Sequence, residues 1–274
     1  MHNFSEAESV RVGTSLQQGD VIEATDGEAP IWQRYLIVIT ADCDLAHNKH
    51  NGRLTCVPAL TVEDYIARVH LAKRRELAAD ALIGELQPHL ANTSVANVPA
   101  ARLREWMASE EPSEVVEDMG VTGELAERVY VTGSTVRDVS DTESSLARAT
   151  DALLRGAVLT GSKDRSAAAR ELSGYIKNAF KSTPGDALFL SAIAPSLDGG
   201  FFAYLRHHET VWATDIALGV ERVAYKYRRI GRLKERYSLA LVHKFAGVFM
   251  SIGLPAEYEG SRDVYAEVLR EGIK

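Results

Sequence analysis

Strand-forming sequence opens and closes this chain of 274 residues, and helix-forming sequence fills the interval between the two blocks. This order constrains the fold more than any other feature. Two strand blocks so far apart either build two sheets or meet in one, and a single sheet requires both ends of the chain to return to each other. In the first block, Tyr35-Leu36-Ile37-Val38-Ile39-Thr40 is aromatic and β-branched with no internal charge, which predicts a strand buried on both faces. Val21-Ile22-Glu23-Ala24 precedes it after the turn pair Gly19-Asp20, and Leu54-Thr55-Cys56-Val57-Pro58 follows as a third strand that ends at its proline. In the last block, Asp186–Ile193 and Phe201–Leu205 flank Asp198-Gly199-Gly200, a hairpin whose glycines supply positive φ. Gly19-Asp20-Val21 and Gly185-Asp186-Ala187 open the two blocks alike, which favours one barrel shared by both ends.

Between the blocks, apolar residues recur at near-helical spacing from Val62 to Leu90, with Thr61 as N-cap. Further helices are expected over 100–108, 113–119, 142–159 and 166–181, with 92–99 and 132–141 as linkers. A last helix over 234–252 carries Leu241, Val242, Phe245, Val248, Phe249 and Ile252 as its apolar stripe, and Gly253 with Pro255 stops it. The expected fold class is therefore α+β. A small, SH3-like β-barrel meander is built from both ends of the chain, with a large helical insertion and a C-terminal helix. Its units are 1–60, the N-terminal β unit; 61–183, the helical insertion; and 184–274, the hairpin and last helix packed against 1–60.

With 46% hydrophobic and 25% charged residues, disorder and low-complexity scaffolds are excluded. Two cysteines, Cys43 and Cys56, are too few for a disulfide framework and fit a reducing compartment. The first residues carry Glu6, Glu8 and Arg11 with no apolar core, which is not a signal peptide, and no stretch long enough to span a bilayer is free of charge. The expected location is the cytoplasm, away from membranes.

The formal net charge of −7 hides a strong asymmetry. Between Glu105 and Glu143 stand eleven acids and two bases, while Arg222, Lys226, Arg228, Arg229, Arg232, Lys234 and Arg236 face a single acid, Glu235. Interleaved with Tyr225, Tyr227 and Tyr237, the basic strip suits a phosphate backbone with stacked bases. The plainer reading, which the pattern favours, is a solvated face, an internal partner for the acidic segment or a contact for an acidic protein surface.

The shortest unusual motif is Asp42-Cys43-Asp44-Leu45, at the end of the buried strand. Two flanking carboxylates oppose thiolate formation, so a structural turn is expected, with Cys43 packed as a small hydrophobe and Asp42 or Asp44 capping the turn. Cys43, His47, His50 and Cys56 have the donor types of a zinc site. Their spacing matches no common finger and Cys56 lies in a strand, so no metal or other cofactor is assigned. His207-His208-Glu209 follows a strand and supplies a candidate base; adjacent strand residues face opposite ways, so the two histidines should not share a site. No phosphate-loop, dinucleotide, zincin or nucleophile-elbow motif occurs, and whether the chain is an enzyme stays open.

Gly19-Asp20-Val21, then Arg34-Tyr35-Leu36-Ile37-Val38-Ile39-Thr40, then Cys56-Val57-Pro58-Ala59-Leu60-Thr61 resembles the opening of PemK/MazF-type toxin barrels, with Tyr35 where that family has proline. The resemblance implies metal-independent RNA cleavage on an SH3-like barrel, with Arg34 and Thr61 as catalytic residues. The apolar strand running into Cys43-Asp44-Leu45, with the late Phe245-Ala246, Phe249-Met250 and Gly253-Leu254-Pro255, is similar to uncharacterised bacterial proteins of mobile-element or antiphage gene clusters. Two functions follow. The first is a binding or regulatory protein that contacts nucleic acid, or a protein partner from the same gene cluster, through the basic strip. The alternative is the toxin-type ribonuclease.

Overall fold

The computed structural model describes residues 5–181, 185–219 and 225–250, together with Val264, Glu267 and Arg270. Arg222, Ile252 and the expected stop at Gly253 and Pro255 lie outside the described residues. The first block forms β1 (Ala7–Glu8), β2 (Asp20–Ala24), a one-turn helix α1 (Ile31–Arg34), β3 (Tyr35–Val38), the short α2 (Asp42–Ala46) and β4 (Arg53–Thr61). The helical segment contains α3 (Val62–Tyr65), a π-helical turn over Ile66–His70, α4 (Ala72–Leu86), α5 (Ala100–Ser109), α6 (Pro112–Met119), α7 (Gly123–Ser140), α8 (Leu146–Leu159) and α9 (Arg165–Lys181). Then follow β5 (Ala187–Leu190), β6 (Phe201–Tyr204), β7 (Glu209–Trp212), β8 (Ile216–Ala217), β9 (Tyr227–Leu233) and α10 (Glu235–Met250).

The architecture is mixed helix and sheet, and the sheet is a curled, largely antiparallel half-barrel. Its strand order is β1-β9-β2-β3-β4-β6-β5, with β7 also on β4 and β8 on β9. Strand β9 from the end of the chain thus lies between β1 and β2, and the two blocks share one sheet. The curl brings the outermost strands together without a backbone ladder. Instead, the buried Glu6 carboxylate, just before β1, accepts from Ser191 N at 3.0 Å, Ser191 Oγ at 2.5 Å and Ala192 N at 3.3 Å, just after β5.

Strand β3 is buried on both faces as its composition requires. Ile37 and Ile39 join Val21, Val57, Leu190, Ile193 and Leu233 in one core, against Leu241 of α10; Leu36 and Val38 join Ile22, Leu54, Cys56 and Val211 in another. Burying one such side chain contributes about 1.5–3 kcal/mol. Strand β4 does not end at Pro58 but runs on to Thr61. Its outer edge pairs with β7 up to Cys56 and with β6 from Ala59, so the missing proline N–H falls where the partner changes. Gly19 has φ +90, and a Cβ there would stand 2.7 Å from Ser238 Oγ, where α10 crosses the start of β2. Of the hairpin glycines Gly200 has the positive φ, +81.

The helical segment has its own core, lined by Ile66, Leu71, Leu82, Ile83, Leu86, Met107, Val136 and Val139, and it meets the sheet through Leu60 and Phe202. Thr61 caps α3, its Oγ accepting from Asp64 N at 3.1 Å. Of residues 132–141, expected as a linker, all but Asp141 belong to α7. Thr132, Gly133, Thr135, Val136 and Val139 are buried there, and tertiary packing outweighs the low helix propensity of Thr-Gly-Ser-Thr. At the centre, the buried Arg75 donates from Nε to Val139 O at 2.8 Å, from Nη1 to Ala67 O at 3.1 Å and from Nη2 to Asp141 O. It closes the end of α7 and the π-helical turn together. No described helix is long and apolar enough to cross a membrane.

Candidate functional site

The basic strip is divided by the fold. Arg229 and Arg232 face the fully buried Asp20 on the neighbouring β2, at 3.2 Å and 2.6 Å, and the Arg229 side chain is only 2% exposed. Both guanidiniums therefore hold the sheet together, and Arg229 is removed from any surface contact. Lys234 Nζ donates to Ser5 O at 2.6 Å, beside β1. Lys226 pairs with Asp215 at 2.9 Å and Arg228 with Glu23 at 2.6 Å, but both remain open to solvent, as does Arg236. The strip's internal partners come from the sheet and its loops, not from the acidic helices. Those have their own bases: Arg137 pairs with Glu111, and Arg155 with Asp138 at 2.5 Å.

The Asp42-Cys43-Asp44 motif is the first turn of α2. Asp42 does not cap that turn; its Oδ1 accepts from Gln18 N at 2.7 Å and ties the loop before β2 to the end of β3. Cys43 is exposed, not packed, because the helical turn aims it outward. Cys56 is buried in the sheet, and burial, reinforced by the charge of Glu209, pushes its thiol up to about 12. Cys43 and Cys56 thus sit in opposite environments, with His47 exposed and His50 half-buried. Among the described residues no group of three or more His, Cys, Asp and Glu side chains is placed to hold a metal ion.

Of the two residues from the toxin resemblance, the Thr61 hydroxyl is engaged in its cap, donating to Asp64 Oδ2 at 2.7 Å. Arg34 ends α1, half-buried, with no hydrogen bond or ion pair to any described residue. Burial and the charge of Glu23 raise the Tyr35 hydroxyl above its ordinary value, an effect that Arg34 and Arg228 partly offset.

The most organised polar cluster is built on α1, the helix that ends at Arg34. The single turn of α1 presents Trp32 and Gln33 to the connection between β6 and β7. There the His207 imidazole lies on the Trp32 indole, centroids 4.9 Å apart and planes 19° from parallel. His207 Nε2 donates to Glu209 Oε1 at 2.8 Å, and Gln33 Nε2 donates to Glu209 Oε2 at 3.4 Å. The carboxylate accepts only, so it fixes the ring proton on Nε2 and leaves Nδ1 as the acceptor. Glu209 is opposite Cys56 in the ladder and also helps raise the Tyr227 hydroxyl, after burial. His208 points elsewhere, 6.4 Å from Phe249, so the two histidines do not share a site. The sequence singled out His207 and Arg34. Glu209 stood in the same motif as His207, whereas Trp32 and Gln33 carried no local signal, because their contacts join residues 31–34 to 204–209.

Comparison of the chain with protein-family models, with curated proteins and with solved structures finds no match. The likeness of residues 19–61 to toxin barrels is carried by those residues alone.

Proposed function

We propose that this chain is a binding or regulatory protein that engages single-stranded nucleic acid, RNA first, at the corner formed by α1 and the β6–β7 connection. The observation that carries the reading is the flat stack of His207 on Trp32, on a helix whose last residue, Arg34, makes no hydrogen bond or ion pair with a described residue. Single strands are held by aromatic faces that stack bases and by cations that follow the backbone. The His207 side chain is 36% exposed, so a base extends the stack over its outer face, while Arg34 and the solvent-open Arg228 and Lys226 meet phosphates. In this reading the curled sheet serves as an SH3-like scaffold in a bacterial cytoplasm, within a defence or mobile-element system.

One observation favours a second reading, metal-independent RNA cleavage. Glu209 orients His207 as a carboxylate orients a general base, leaving Nδ1 to take a proton while Arg34 stabilises charge on the phosphate. Labelled single-stranded RNA and DNA, titrated at two salt concentrations and then run on a denaturing gel with and without chelator, test both readings. Three phosphate contacts give a slope of about −2 in log affinity against log salt. Intact RNA with that slope supports binding alone. RNA cut in the presence of chelator brings in the second reading. No association at low salt overturns both.

A further inference from the structure

The clefts on the helical segment differ in how their wall charges are met. Four of them hold an ion pair within their own walls: Arg74 with Glu171, Arg102 with Glu105, Arg137 with Glu111 and Arg155 with Asp151. Another, with a volume of ≈ 440 Å³, lies where α4, α7 and the end of α8 meet. Three carboxylates stand in its walls, Glu85 from α4 and Glu124 and Glu127 from α7, with one cation, Arg128. None of these four side chains makes a hydrogen bond or ion pair with a described residue. The walls therefore carry an excess of two negative charges that the fold leaves unpaired.

Two further observations point to an occupant. Thr132 of α7 lines the cleft and is only 7% exposed, yet its hydroxyl bonds no described residue. Other threonines of α7 and α8 donate back one turn, Thr135 to Val131 O at 2.9 Å and Thr150 to Leu146 O at 2.8 Å. A buried hydroxyl without a partner costs free energy, and a donor in the cleft would remove that cost. Glu85 stands in the last turn of α4, where the helix dipole disfavours a carboxylate, so local structure does not call for it. Around these groups the walls are apolar. Leu82 and Leu86 are buried, while Val131 and Leu159 line the cleft 38% and 44% exposed. Apolar walls with a few unpaired polar groups are the makeup of a small-molecule site.

We propose that this cleft binds a small organic dication, a methylene chain that carries an ammonium group at each end. The ammonium groups meet the carboxylates, and the Thr132 hydroxyl accepts from one of them. The chain lies along the leucines, as the stem of a lysine lies along apolar surface. The site is separate from the corner at Trp32 and His207 and does not depend on the function assigned there.

Calorimetric titration of the full chain at low salt with putrescine and hexamethylenediamine, against hexylamine and magnesium chloride, tests it. At least one diamine should bind about tenfold more tightly than hexylamine, which lacks the second charge, and than magnesium, which lacks the chain. Glu85→Gln/Glu127→Gln should weaken that binding about tenfold. Thr132→Val, which loses no hydrogen bond in the free protein, should weaken it about threefold. Arg128→Gln removes the competing cation and should tighten it. Circular dichroism and Tm of these variants should match the wild type. Glu114→Gln/Glu117→Gln on α6 makes the same charge change elsewhere and should leave affinity unchanged. No diamine binding at millimolar concentration, magnesium or hexylamine binding as tightly, or equal affinities in the two glutamine double variants overturns the proposal.

Discussion

The sheet and the helical segment each enclose charge, and they satisfy it in opposite ways. In the sheet, the buried Asp20 carboxylate meets two guanidiniums, Arg229 and Arg232, brought from more than 200 positions along the chain. In the helical segment, the buried Arg75 guanidinium meets backbone carbonyls. The difference follows from what each region has to close. Strands β2 and β9 come from opposite ends of the sequence, so a pair of opposite charges fixes which strands meet and in what register. The π-helical turn before α4 and the last turn of α7 come together, and one planar cation satisfies the carbonyls of Ala67, Val139 and Asp141 at once.

This contrast breaks most visibly at Asp20. Asp20→Ala leaves two guanidiniums in the sheet without a counter-charge and should destabilise the fold by about 3–5 kcal/mol, read by urea unfolding. A loss below about 1 kcal/mol would show that the strands pair without the charge. Arg75→Leu comes next, at about 3 kcal/mol, because it strands the carbonyls of Ala67, Val139 and Asp141. Proteolysis should then open the helical segment first, while thiol labelling shows Cys56 in the sheet still protected. Thr61→Ala, at the junction of the two regions, should cost about 1 kcal/mol through the lost cap of α3.

Titration separates the regions more gently. Burial raises the thiol of Cys56 to about 12 and the hydroxyls of Tyr35, Tyr204 and Tyr227 above their ordinary value. The unfolded chain releases these protons first, from about pH 8.5 for cysteine and 10 for tyrosine, while the native state retains them. Stability from these groups is therefore complete below that range and declines as pH rises toward 12 for Cys56. Unfolding midpoints measured from pH 8 upward should fall steadily, and alkylation near pH 8 should modify Cys43 alone. Equal labelling of both cysteines would contradict the burial of Cys56.

Much of this fold was legible because local composition and tertiary burial agree. The β-branched run Tyr35–Thr40 gave its strand, Thr61 its cap, and the repeated Gly-Asp openings pointed to a sheet shared by both ends. Residues 132–141 were misread because threonine and glycine hide a buried helix face when the neighbours that pack on it are unknown. The basic strip looked like one surface because sequence shows charge but not partner; only the β2–β9 register reveals that Asp20 engages two of its arginines. The candidate site was half visible, through Arg34 and the His207-His208-Glu209 motif. Its other half, Trp32 and Gln33, joins it only where α1 meets the β6–β7 connection.

Single-stranded nucleic acid should be received by this corner with Arg228 and Lys226, and not by the far end of the basic strip at Lys234 and Arg236. Fluorescence anisotropy with a short single-stranded RNA, on the wild type, on Arg34→Ala/His207→Ala and on Lys234→Ala/Arg236→Ala, measures it directly. Each stacked base is worth about 1–3 kcal/mol, so the corner variant should bind at least tenfold more weakly while the strip variant stays within about twofold of wild type. Affinity kept by the corner variant and lost by the strip variant would contradict the account.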